Sequence, residues 1–137
     1  MCWRINKKLF KNNPNCYHKV AEEDVIVYKL GRIIDGKFIP YFKCFFAYTA
    51  NSLNKEVKLG RDIGLVYVSI DEGYHSYASN YKSFNELNLM MLLDGGLLNY
   101  KSDYEYVIGK FLIPKGSEYY ENDKGDIVSS QLIWTGE

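Results

Sequence analysis

The stretch with the most chemical content is Gly73-Tyr74-His75-Ser76-Tyr77. A histidine beside a serine pairs a general base with a nucleophile. On an extended chain, however, adjacent side chains point to opposite faces. His75 and Ser76 then cannot meet each other, and a Ser-His-Asp triad is not supported. Two readings of His75 stay open: a ligand contact, or a half-buried imidazole hydrogen-bonded to backbone. Carboxylate pairs stand at Glu22/Glu23, Asp71/Glu72 and Asp123/Asp126. The first and last read as solvated turns. Asp71/Glu72 lies beside the His75 segment, where it could hold a cation or a ribose hydroxyl. More often such a pair simply punctuates a turn. Cys2, Cys16 and His18 could supply three metal ligands but lack the paired spacing of a zinc site, so no metal is expected. There is no P-loop, GxGxxG, HExxH or GxSxG, which removes the motif-bearing enzyme classes, and no cofactor is expected.

The composition bounds the rest. The 137 residues fit one domain, 1–137, whose core needs no metal or disulfide staple. Formal charge sums to zero but is unevenly placed. Residues 1–20 carry Arg4, Lys7, Lys8, Lys11 and Lys19 and no acid, so the remainder carries a net −5. That segment reads as a basic, partly irregular arm. A zero overall balance gives little support to nucleic-acid binding, which needs several cations on one face. The longest apolar block, 87–98, is interrupted by Asn88, Asp94, Gly95 and Gly96, so no membrane helix is expected. Three cysteines without framework spacing, and no signal-peptide pattern at the N-terminus, point to the cytoplasm. The 13 Tyr, 7 Phe and 2 Trp suit half-buried strands, and they also suit binding surfaces.

The pattern along the chain predicts the elements that would position these residues. Strands are expected at 25–30, 32–34, 37–39, 43–49, 55–59, 65–70, 104–113, 118–120 and 127–134. Trp3 and Ile5 could dock as a short edge strand. Asp35-Gly36 is a hairpin signal, and Pro40 confines its strand to an edge or a bend. The run 65–70 reads as a buried strand, and Gly109 as a bulge. The one principal helix starts at Ser83, whose hydroxyl forms a capping box with Glu86, and stops at Gly95-Gly96. The fold class is α+β: a mainly antiparallel or mixed, curved β-sheet of about seven short strands with this helix against it.

Two resemblances add context. Ala21-Glu22-Glu23-Asp24-Val25, Tyr28-Lys29, Pro40-Tyr41, Gly73 to Tyr77, Ile113 to Tyr120 and Val128-Ser129 together resemble a group of uncharacterised small proteins. These come from gut Bacteroides-type bacteria and their phages. The resemblance spans most of the chain from Val20 onward and carries no activity with it. The second is shorter. Phe111-Leu112-Ile113-Pro114-Lys115-Gly116-Ser117, followed by Tyr119, is similar to the stretch after the catalytic glutamate of arginine-type mono-ADP-ribosyltransferases. It implies that Val27-Tyr28-Lys29 matches the strand whose arginine grips NAD, and that 73–79 matches the serine-bearing strand. It departs where catalysis lives. The two glutamate positions hold Ile108 and Lys110, and the arginine position holds Lys29. Lys110 cannot accept the ribose hydroxyl bond that stabilises an oxocarbenium-like state.

The expected ligand-binding residues are therefore Tyr28, Lys29, Tyr74, His75, Ser76 and Tyr77, with no catalytic residue named. The expected role is a non-catalytic accessory protein, phage-encoded if the first resemblance holds. It would bind a small molecule of nucleotide-like chemistry or a host protein. The alternative is an ADP-ribosyltransferase-like enzyme that uses NAD.

Overall fold

In the computed structural model, residues 3–12, 17–40, 47–70, 72–78, 107–122 and 125–137 are described. In chain order the elements are β1 (Trp3–Asn6), α1 (Lys7–Asn12), β2 (His18–Val20), β3 (Val25–Ile34), β4 (Lys37–Pro40), β5 (Arg61–Ile63), β6 (Tyr67–Ile70), β7 (Tyr74–Ala78), β8 (Val107–Ile113), β9 (Glu118–Glu121), β10 (Asp126–Ser129) and β11 (Ile133–Trp134). They form two open sheets. The larger has the order β11-β8-β3-β7-β10-β9-β2, with β4 paired to β3, and the smaller has the order β1-β6-β5. Every ladder between these strands is antiparallel.

The long strand β3 organises the larger sheet. One edge pairs with β8 from Val25 to Gly31. The other edge pairs first with β7, at Val27 and Tyr28, and then with β4 from Gly31 onward. The β3–β4 turn is Asp35-Gly36, with φ of 53° and 75°. Both central residues of a two-residue hairpin turn need positive φ to match strand twist, which Asp and Gly supply most readily. Pro40 ends β4, which pairs with β3 alone among the named strands. Phe38, fully buried, lies against the backbone at Gly31 and Gly109.

Two hydrophobic clusters lie on opposite faces of the larger sheet. One gathers Val27, Phe38, Tyr48, Phe111, Ile113, Tyr119, Ile127, Leu132 and Trp134. The other gathers Trp3, Ile5, Phe10, Leu59, Val68, Ile70, Tyr120 and Val128, and seats the smaller sheet. Strand alternation explains the split: Tyr119 and Ile127 enter the first core, and Tyr120 and Val128 enter the second. The N-terminal segment is tied in by polar bonds as well. Trp3 Nε1 donates to Asp126 O at 2.8 Å, and Asn122 Nδ2 donates to Arg4 O at 3.2 Å. Asn6 caps α1 by accepting the Lys8 amide at 3.0 Å.

Several expectations are corrected. The described residues hold eleven strands in two sheets, not about seven in one. Residues 55–59 run without a ladder, held instead by the Val57 amide on Ser130 O at 2.9 Å and by the buried Leu59. The strand expected from 65 starts at Tyr67, because Leu65 and Val66 form the turn of the β5–β6 hairpin. The strand expected over 127–134 divides into β10 and β11, which pair with different neighbours. Gly109 stays in regular register opposite Lys29; it clears space for Phe38 and is not a bulge. The helix expected from Ser83 lies outside the described residues, as do residues 43–46 and 104–106.

A methyl group at Gly31 would sit 2.3 Å from Ile39 O and 2.7 Å from the Phe38 ring, whereas one at Gly60 would meet nothing within 4 Å. Gly31→Ala should therefore lower stability by about 1–3 kcal/mol, as overpacking does. Gly60→Ala should change it by less than about 0.5 kcal/mol. Urea denaturation of the two variants checks the contrast.

Candidate functional site

The six residues singled out in the sequence all fall on β3 and β7, two neighbouring antiparallel strands. Tyr28 stands directly opposite Tyr77. Alternation then divides the group. Tyr74 and Ser76 lie on the face of the first core, together with Lys29. Tyr28, His75 and Tyr77 lie on the other face. The structure thus brings the six to one place in the sheet but not to one surface.

On the first-core face the β3–β7 ladder ends after Tyr28, and Lys29 occupies the gap. Its ammonium donates to the His75 carbonyl and stands 5.8 Å from the centre of the Tyr48 ring. Tyr48 is buried edge-on against Phe111, with ring centres 5.0 Å apart, and lies 6.4 Å from Tyr74. Burial holds its phenol well above the usual tyrosine value of 10.0, and the neighbouring Tyr74 adds to the effect. Tyr74 donates its hydroxyl to Lys55 O at 2.5 Å, and burial raises its pKa too. Ser76 is 1% exposed, and its hydroxyl has no hydrogen-bond partner among the described residues. A buried, unbonded hydroxyl is uncommon, and a water or a ligand atom normally satisfies such a group. Among the described residues of this corner no nucleophile stands beside a base.

On the opposite face, His75 stands across from Val128, and Tyr77 from Asp126. Lys110 lies across β3 from Tyr28, forms a 3.5 Å ion pair with Glu137, and offers no acid to this surface. His18 stacks on Tyr120 at 4.5 Å and lies 3.0 Å from Glu118 Oε2. That contact is an ion pair only when the imidazole is protonated, and it is not aligned as a hydrogen bond. Among the described residues no group of three His, Cys, Asp or Glu side chains could hold a metal ion. No described helix is long and apolar enough to cross a membrane.

A second surface was not singled out from the sequence. At the free end of the smaller sheet the β5–β6 turn projects Leu65 at 97% exposure and Val66 at 55%, beside Ile63 at 61%. Neither turn residue has a positive φ, unlike Asp35-Gly36. Leu and Val bring no turn chemistry to these positions. The Lys7 amide donates to Val66 O at 2.8 Å, which binds the start of α1 to the turn and puts the exposed Leu9 on the same element. Around this apolar tip stand Arg4, over the Tyr67 ring at 4.5 Å, and Arg61, 5.7 Å from the Phe10 ring. Lys7, Lys8 and Lys11 lie on α1, which starts at the turn, Lys58 precedes β5 in the chain, and Asp62 is the acid that β5 contributes. The charge asymmetry of residues 1–20 was the signal for this surface. The apolar run beginning at Leu65 concealed it, because hydropathy alone reads such a run as core.

Compared with known proteins, the chain matches no family model, and no curated protein and no solved structure is significantly similar to it.

The buried Tyr48 gives the fold an alkaline limit. Its phenol ionises less readily folded than unfolded, so its contribution is complete below pH 10.0, the unfolded value, and is lost as pH rises above it. Denaturant titrations between pH 8 and pH 11 should show stability falling above about pH 10. Tyr48→Phe should make that decline shallower; an unchanged slope would remove Tyr48 as its source.

Proposed function

We propose that the protein is a non-catalytic binding module that docks on an acidic surface of a partner protein through the basic, apolar-tipped end of its smaller sheet. The observation that carries this is Leu65, almost fully exposed in a turn whose geometry does not call for it, with cations on three neighbouring elements. An exposed apolar cluster rimmed by charge marks an interaction surface. Aliphatic side chains at a convex tip act as anchors: each, when buried in a partner pocket, contributes about 1.5–3 kcal/mol. The surrounding Lys and Arg side chains steer the encounter and exclude basic partners. Zero net charge over the whole chain supports an acidic protein over nucleic acid.

This reading keeps the expected accessory role in a reducing cytoplasm, and the expected principal helix from Ser83 as part of an α+β fold. A small polar ligand between Lys29, Tyr74 and Ser76 is a second reading, favoured by the unbonded Ser76 hydroxyl. An ADP-ribosyltransferase-like activity has less support, because Ile108 and Lys110 stand where that chemistry needs glutamates.

The test uses a partner identified by co-purification and then measured by calorimetry. The double variant Leu65→Ser, Val66→Ser should bind it at least about tenfold more weakly. Leu53→Ser, at a position 73% exposed and remote from the tip in sequence, should bind within about twofold of the parent. Raising the salt should weaken binding of the parent chain. Equal affinity of all three proteins would refute the proposal.

A further inference from the structure

Among the described residues the small sheet has one open edge. Its order is β1-β6-β5, so β6 is internal and the edges are β1 and β5. The β1 edge is occupied: Arg4 O accepts from Asn122 Nδ2, and the neighbouring Trp3 side chain bonds Asp126 O. Among the described residues β5 pairs with β6 alone, and all three of its residues are exposed. Gly60, immediately before it, faces open space.

The hydrogen-bond phase of that edge can be worked out. The Gly64 amide donates to Tyr67 O at 2.9 Å, so Gly64 and Tyr67 form a bonded pair. In an antiparallel ladder bonded and non-bonded pairs alternate. Ile63/Val68 is then non-bonded, Asp62/Ser69 bonded and Arg61/Ile70 non-bonded. The backbone N–H and C=O groups of Arg61 and Ile63 consequently point away from β6. They present two donors and two acceptors at the spacing of a strand, beside the apolar tip. Natural edge strands are normally shielded by bulges, prolines or a covering element. β5 has no proline, and among the described residues its only evident protection is its length of three residues.

Resting on the docking function proposed above, we infer that the partner contributes an extended, acidic segment that adds to β5 as a fourth strand. Charge selects the occupant. Arg61 lies on β5 itself, Lys58 just before it, and Arg4, Lys7, Lys8 and Lys11 on β1 and α1; none of the six makes a salt bridge among the described residues. The ladders put Arg61 and Ile63 on one face of the sheet and Asp62, with Arg4 and Tyr67, on the other. A strand alternating Glu or Asp with Val or Ile would set its acids on the Arg61 face and its apolar side chains on the face of the exposed Tyr67. Main-chain bonds supply affinity in this mode and alternate side chains supply specificity.

The probe is a synthetic peptide of alternating Glu and Val, labelled for fluorescence anisotropy and titrated with the full chain. It should bind, and a peptide with Lys in place of Glu should not. Methylating the peptide nitrogens of one alternate set should weaken binding at least about tenfold, while methylating the other set should leave it intact, because only one set faces β5. Ile63→Pro removes an outward-facing donor, which an edge strand tolerates. The variant should keep the melting temperature of the parent and lose the peptide. If the proline disturbs folding, the methylated peptides still decide the matter. Indifference to both methylation patterns, or no binding at all, overturns strand addition. So does binding to phosphatidylserine vesicles with no binding to the peptide, which would make the end a membrane contact. The two proposals fail separately. If the Leu65, Val66 variant loses the purified partner while methylation has no effect, docking stands and strand addition falls. If that variant keeps the partner, docking itself falls.

Discussion

Side-chain alternation along β9 and β10 is the constraint on which the rest of the molecule depends. Both strands are covered on both faces. Tyr119 and Ile127 complete one core, while their immediate neighbours Tyr120 and Val128 complete the other. A one-residue slip of register would exchange the two sets and remove both cores at once. Register is accordingly pinned by polar bonds in the β9–β10 connection. Asn122 and Asp126 exchange backbone and side-chain bonds, and Trp3 reaches across to the Asp126 carbonyl. The smaller sheet has no independent core; it is stable because β9 and β10 offer it a second apolar face.

That dependence gives the proposed docking end its character. Trp3, Ile5, Val68 and Ile70 fix one face of the small sheet, so Arg4, Asn6 and Tyr67 must take the other. The turn residues Leu65 and Val66 then extend past the edge of the core and stay exposed, at 97% and 55%. Recognition of a partner is best served by side chains on a rigid base, because less conformational entropy is lost on binding. The cluster at Lys29 follows a different logic. There a cation, two phenols and the Ser76 hydroxyl share a corner where β3 changes partners from β7 to β4. Lys29 at that junction bridges strands that no longer share a ladder.

Much of the larger sheet was legible in the sequence, for local reasons. Asp35-Gly36 announces a hairpin because few residues accept positive φ. Gly73 to Tyr77 was read only as extended chain, and the alternation that this implies divides His75 from Ser76 in β7. What was not legible depended on distant partners. β5, Arg61-Asp62-Ile63, has no apolar alternation and is a strand only because β6 pairs with it. Residues 127–134 are apolar at both ends, but Ser129, Ser130 and Gln131 between them redirect the chain so that β11 joins β8 at the opposite edge. Gly109 looks like a bulge until Phe38 is seen lying against it. The Lys-rich segment 7–12 was expected to be partly irregular, and its helical turns are anchored by a single buried side chain, Phe10. The six residues chosen for a ligand site do converge on two adjacent strands. Which face each takes depends on the β3–β7 register, which no local pattern reveals.

The central claim is that the basic N-terminal segment is a built part of the fold, seated on the second core, and not a free arm. Hydrogen–deuterium exchange of the intact chain, followed amide by amide, tests it most directly. The ladder amides of β1 and β6 should be protected to nearly the same degree as those of β10. Trp3→Ala should release β1, β5 and β6 together while β3 and β8 stay protected, as expected when one core carries a whole subunit of structure. Free exchange of the β1 and β6 amides in the parent chain, at the rate of an unstructured peptide, would contradict the account.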